Sequence, residues 1–217
     1  MEDDPHSPGN FALVATLFEA SLAVAAVGLG WLFGHRPTAT FQFDGVSFAW
    51  GLAATVPPLV LFGLCLVCPW APFARLAKLV DRLLVPMFRQ CTVVEIAAIS
   101  LVAGIGEEML FRGLLQGGLA ERIGGPAGIW VGLAAGSFAF GLAHPISPTY
   151  SILTGLIGFY LGWLWIYSGN LLVPITTHAA YDFLALVYLI KIRSPGADGN
   201  DQGEHADRED ERKNTVS

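Results

Sequence analysis

Charge is what this chain has least of. Asp, Glu, Lys and Arg make up 14% of its 217 residues, against roughly 25% in soluble domains, and none of them occurs between Ile123 and Tyr181. Hydrophobic residues make up 53%. A soluble globular domain is excluded, and with a net charge of −6 no nucleic-acid partner is expected. Cysteine is scarce as well. Cys65, Cys68 and Cys91 lie in or beside apolar segments, and one C-x-x-C without a second pair reads as small membrane-packed residues rather than a metal or redox site. The zinc-protease signature H-E-x-x-H is missing, and so is any internal repeat long enough for an inverted-repeat transporter.

What the chain has instead is long apolar runs. Six windows approach or exceed the ~20 residues needed to cross a ~30 Å hydrocarbon core: Phe11 to Phe33, Val46 to Trp70, Cys91 to Gln116, Ala127 to Ala143, Tyr150 to Tyr167 and Leu171 to Ile190. The expected fold is all-α, a polytopic membrane protein of about six transmembrane helices whose core bundle carries a polar site. The first run is too long for the apolar part of a signal peptide, and acids (Glu2, Asp3, Asp4) precede it, so it is expected to stay as an anchor. Three regions are expected: 1–90 with the N-terminal helices and a surface helix, 91–193 as the core, and 194–217 as an acidic disordered tail.

Ala71 to Gln90 carries Arg75, Lys78, Arg82 and Arg89, with Leu76, Leu79, Val80 and Leu83 at helical spacing. It reads as a basic amphipathic helix on the membrane surface. The positive-inside rule then puts this loop and both termini in the cytoplasm, with Lys191 and Arg193 agreeing. The plasma membrane is the expected location.

Ionisable residues inside the apolar runs carry the functional signal, because each costs at least ~2.5–3.5 kcal/mol at bilayer depth. Glu108 and Arg112 are four apart and share a helix face, which makes them an ion pair and leaves Glu107 without a local cation. Such a carboxylate is a candidate general base. His144 closes the fourth segment before Pro145, and His178 has Asp182 one turn later, with Pro174 as a potential kink. Gly128, Gly132 and Gly136 form a row for close helix packing that leads toward Phe140 and His144. Glu19 stays outside the expected site, and Glu95 is expected at an interface.

The sequences Glu107-Glu108-Met109-Leu110-Phe111-Arg112, Phe140-Gly141-Leu142-Ala143-His144 and His178-Ala179-Ala180-Tyr181-Asp182 resemble the E-E-x-x-x-R, F-x-x-x-H and H-x-x-x-N/D motifs of the CPBP family of intramembrane proteases. That family includes CAAX-processing endoproteases and bacteriocin-immunity (Abi) proteins. The resemblance spans about Val93 to Ile190. It implies an intramembrane endopeptidase acting on a membrane-associated protein or peptide, with prenylated CAAX substrates as one class. It further implies Glu107 as general base, His144 holding the water, His178 and Asp182 at the oxyanion, and Glu108, Arg112 and Phe140 in support. Many relatives have Asn where this chain has Asp182. An ionised Asp would repel an oxyanion, so Asp182 is protonated, binds a metal or orients His178.

No essential cofactor is expected. The alternative is a divalent metal such as Zn²⁺ on Glu107, His144, His178 and Asp182. Two other functions compete, a non-catalytic scaffold or immunity factor and a proton or ion transporter. Depth poses a difficulty. At 1.5 Å per residue Glu107 lies about 24 Å along the third segment and His178 about 10 Å from the far end of the sixth. His144, at the cytoplasmic end of the fourth, matches them only if that segment starts deeper or runs on.

Overall fold

The computed structural model describes residues 8–193; the acidic tail expected over 194–217 lies outside the described residues. The elements are α1 (Pro8–Phe33), α2 (Gly45–Ala53), α3 (Val56–Val67), α4 (Ala71–Phe88), α5 (Val93–Glu108), α6 (Gly117–Ile123), α7 (Gly125–Leu142), α8 (Pro148–Ser168) and α9 (Leu172–Val187). A π-helical stretch, Met109–Gln116, joins α5 to α6, and another, Tyr188–Arg193, extends α9. Among the described residues there is no strand.

Local chemistry sets the boundaries. The Asp44 carboxylate caps α2 by accepting from the Ser47 amide at 2.8 Å, and that hydrogen bond leads the interactions that hold Asp44 below the usual carboxylate range. Thr92 and Glu95 form a reciprocal capping box at the start of α5, which is where the interfacial position expected for Glu95 finds its use. Ser147 caps α8 ahead of Pro148 in the first turn. Gly169, at φ +65°, closes α8 in the left-handed conformation that a side chain would disfavour. Pro174 lies in the first turn of α9, where no intrahelical donor is lost, so the expected kink is absent.

Five stretches are long and apolar enough to cross a membrane: Phe11–Phe33, Gly45–Val67, Gly125–Leu142, Pro148–Ser168 and Leu172–Arg193. The sixth span is the charged one. α5, the π-helical stretch and α6 run unbroken from Val93 to Ile123, roughly 45 Å at 1.5 Å per residue, well past the ~30 Å hydrocarbon thickness. This resolves the depth difficulty. Helix three continues seven residues beyond the expected limit at Gln116, so Glu107 lies near its middle. α7 pairs with only its second half. A Cβ on Gly128 would press on Ala120, one on Gly132 on Gln116, and one on Gly136 on Phe111 and Gln116. α7 therefore delivers His144 to the level of Glu107.

Glycines set the other close approaches too. A Cβ on Gly104 would lie 3.0 Å from the Ala179 Cβ, seating α9 on α5. On α8, a Cβ at Gly158 would lie 3.1 Å from the Phe140 ring. α4 lies across the end of the bundle where α9 finishes. Asp81 pairs with Arg193 at 2.9 Å, Val85 packs with Leu189 and Ile190, and Arg75, Lys78 and Arg82 are exposed.

Candidate active site

Glu108 and Arg112 are both fully buried, at 0% exposure. Arg112 Nε sits 3.1 Å from Glu108 Oε2, a charge contact without a well-aligned hydrogen bond. Nη2 of Arg112 donates to the Gly158 carbonyl at 3.0 Å, and the guanidinium lies 4.4 Å above the Phe140 ring. The other oxygen of Glu108, Oε1, lies 2.9 Å from His178 Nδ1. On the far side of that ring, Nε2 is 3.4 Å from Asp182 Oδ2. Arg112, Glu108, His178 and Asp182 thus form one continuous polar row across two helices, the unbroken Val93–Ile123 helix and α9. Both imidazole nitrogens face carboxylates, so the row needs either an imidazolium or a proton on one carboxyl group.

Glu107 points elsewhere because adjacent helical residues diverge by about 100°. It is 8% exposed, and its Oε2 has no hydrogen-bond partner. Across a gap of 3.8 Å lies His144 Nε2, too far for a direct hydrogen bond and suited to a bridging water. His144 Nδ1 is 2.8 Å from the Phe140 carbonyl. A carbonyl only accepts, so Nδ1 carries the proton and Nε2 presents its lone pair toward Glu107. Phe140 links the two halves, with ring centroids 4.8 Å from His144, 5.7 Å from His178 and 5.1 Å from Phe111.

Glu107, His144, His178 and Asp182 open onto one cavity of ≈ 350 Å³. Its remaining wall is largely apolar and comes from α3, the inner face of α4 and the end of α9, including Phe62, Leu66, Phe73, Leu76, Val80 and Leu189. Sequence reasoning missed two parts of this site. Glu19, left outside it, is on the cavity wall; the one available signal was that it is the sole charged residue between Phe11 and Phe33. Tyr150 and Tyr181 also line the cavity, and nothing in their sequence context separates them from other membrane aromatics. Cys65 is on the same wall, whereas Cys68 caps α3 and Cys91 is buried against α1 and α5.

Of the four residues named as alternative metal ligands, His144 has Nδ1 held by the Phe140 carbonyl and His178 has Nδ1 held by Glu108, which leaves Nε2 of each toward the cavity side. Among the described residues no group of three or more His, Cys, Asp or Glu side chains is arranged to hold a metal ion.

Residues 89–184 match the family model for type II CAAX prenyl endopeptidase, Rce1-like. The match agrees with the CPBP resemblance of the motifs. The matched stretch contains every motif residue from Glu107 to Asp182, while α1, with Glu19, and all of α4 fall outside it. No curated protein and no solved structure matches the chain.

Proposed function

We propose that the protein is an intramembrane endopeptidase that hydrolyses a peptide bond of a membrane-associated, prenylated CAAX-type substrate with water activated by Glu107 and His144. The observation that carries this reading is the pairing of Glu107 Oε2, buried and without a hydrogen-bond partner, with the His144 Nε2 lone pair across 3.8 Å. A water seated on the cavity side of both atoms gives one hydrogen to each acceptor and turns an oxygen lone pair toward the cavity. Glu107 takes the proton as the water oxygen bonds to the carbonyl carbon, then delivers it to the departing nitrogen. The C–N bond breaks, leaving a carboxylic acid and an amine, which become a carboxylate and an ammonium once the acid gives up its proton. His178, held by Glu108, offers an Nε2–H to the developing oxyanion when Asp182 swings aside or carries a proton.

The apolar wall formed by Phe62, Leu66, Phe73 and Leu76 supports a substrate carrying a lipid chain, since an isoprenoid needs a dry groove beside the polar centre. Arg75, Lys78 and Arg82 lie at the same end of the bundle as Lys191 and Arg193, tied by the Asp81–Arg193 pair. That common end supports placing the cavity mouth and both chain ends on the cytoplasmic side of a plasma membrane.

The test is cleavage of prenylated and unmodified C-terminal peptides by wild type, Glu107→Ala and His144→Ala in proteoliposomes, with and without a chelator. Loss in both well-folded variants and survival under chelation are expected. Full cleavage by Glu107→Ala would overturn Glu107 as the base, a wild type that cleaves nothing while its natural phenotype survives both substitutions would favour a scaffold, and ion flux without cleavage would point to a transporter.

A further inference from the structure

Glu19 is the one acidic side chain of the cavity that the reaction above leaves unused. It lines the same space as Glu107, His144, His178 and Asp182. Its Oε2 is buried without a hydrogen-bond partner, and the close polar pairs of the site, Arg112–Glu108, His144–Glu107 and the two of His178, do not include it.

Its position is built into the helix packing. A Cβ at Gly106 would collide with the carbonyl oxygen of Glu19 and reach 3.4 Å from the Leu22 Cβ. The bare backbone at Gly106 therefore lets α1 press against α5 right beside Glu107, and two carboxyl groups from different helices face one cavity. Glu107 supplies an independent sign of a missing ligand. It is more than nine-tenths buried, and its Oε2 also lacks a donor. Buried polar atoms are costly unless a donor reaches them, so this cavity calls for a donor from outside.

The charge balance says what kind. Arg112 offsets Glu108, and His178 bridges Glu108 and Asp182. Glu19 and Glu107 are left as acceptors, a pairing suited to a group with N–H donors or positive charge. The proposed hydrolysis produces such a group. When the C–N bond breaks, the nitrogen takes the proton held by Glu107 and leaves as a primary amine, which gains a further proton from water at neutral pH.

We propose that Glu19 is a substrate-binding residue that accepts hydrogen bonds from the amine side of the scissile bond, from the peptide N–H before cleavage and from the amine afterwards. The inference rests on the endopeptidase reading for the origin of the amine. The site would then draw on α1, outside the stretch that carries the motifs.

The experiment measures binding of trileucine, with its free amino terminus, and of N-acetyl-trileucine to the full chain in detergent by calorimetry, separately from any turnover. Wild type and the inactive Glu107→Gln variant are expected to bind the free amine about tenfold or more tightly than the acetylated peptide, the order of one charge-assisted hydrogen bond. Glu19→Gln, with an unchanged unfolding temperature, is expected to bind the two alike. A preference that persists in Glu19→Gln, or that wild type lacks, overturns the proposal. A Glu19-dependent preference in a protein that cleaves nothing would uphold this binding role while removing the endopeptidase reading, so the two failures are distinct.

Discussion

His178 sits closer to Glu108 than to Asp182, at 2.9 Å against 3.4 Å. The nearer carboxylate is the fully buried one that also meets Arg112, whereas the side chain of Asp182 is 31% exposed and borders the cavity. Glu108 is therefore placed to fix the ring and Asp182 to move, and the two acids should respond differently to substitution.

Glu108→Ala strands both Arg112 and His178 without their shared partner. Breaking a buried pair in this way costs about 3–5 kcal/mol, so a large drop in thermal unfolding temperature in detergent is expected, with loss of cleavage. An unfolding temperature equal to wild type would mean that the row does not hold the bundle.

Glu107→Gln should behave in the opposite manner. Its Oε2 makes no hydrogen bond, so stability should stay near wild type while cleavage falls by a factor of about 10² to 10⁴, the usual share of a general base. Circular dichroism melts run beside peptide turnover give both numbers.

Asp182→Asn replaces an acceptor with a side chain that can donate to an oxyanion. Retained or raised kcat is expected, and Asp182→Leu should lose it. If Asn is as damaging as Leu, the carboxylate itself is required and the oxyanion role assigned to this position is wrong.

Gly106→Val places a branched side chain where the Glu19 carbonyl now lies. Moving α1 away from α5 should cost about 1–3 kcal/mol, as overpacking does in well-packed cores, and should lower cleavage along with stability. Gly63→Ala on α3, where an added Cβ meets nothing within 4 Å, is the control, expected to leave both near wild type.

Neutralising Arg75, Lys78 and Arg82 together should weaken the response to anionic lipid. These residues are exposed on α4, and the other side of that helix is cavity wall. Turnover in vesicles is expected to rise with phosphatidylserine content for wild type and to stay flat for the triple variant.

The all-helical membrane fold was legible because apolar length alone nearly dictates it. The Glu108–Arg112 contact was legible because four-residue spacing is geometry. What escaped were relationships that cross between helices. Glu19 has no charged neighbour in its own segment, and the bare face of Gly106 brings it to the site. The length of helix three was underestimated because Gly117–Ile123 carries Glu121 and Arg122, which end an apolar window without ending a helix. Part of that stretch is held from outside, as His35 lies 2.5 Å from Glu121 and 2.8 Å from the Gly113 carbonyl. That Ala71–Phe88 is a helix was legible from the spacing of its apolar residues, yet its role as cavity wall depends on where α3 and α9 end.

The cavity that Glu107 and His144 share is walled by the side of α4 together with α3, α8 and α9. A guest reaches Glu107 either past α4 or sideways between the helices. In both cases it has to arrive unwound, since a peptide carbonyl tied up in helical hydrogen bonds offers nothing to attack. Looseness near the cut, more than the identity of any one side chain, would then decide which chains are admitted.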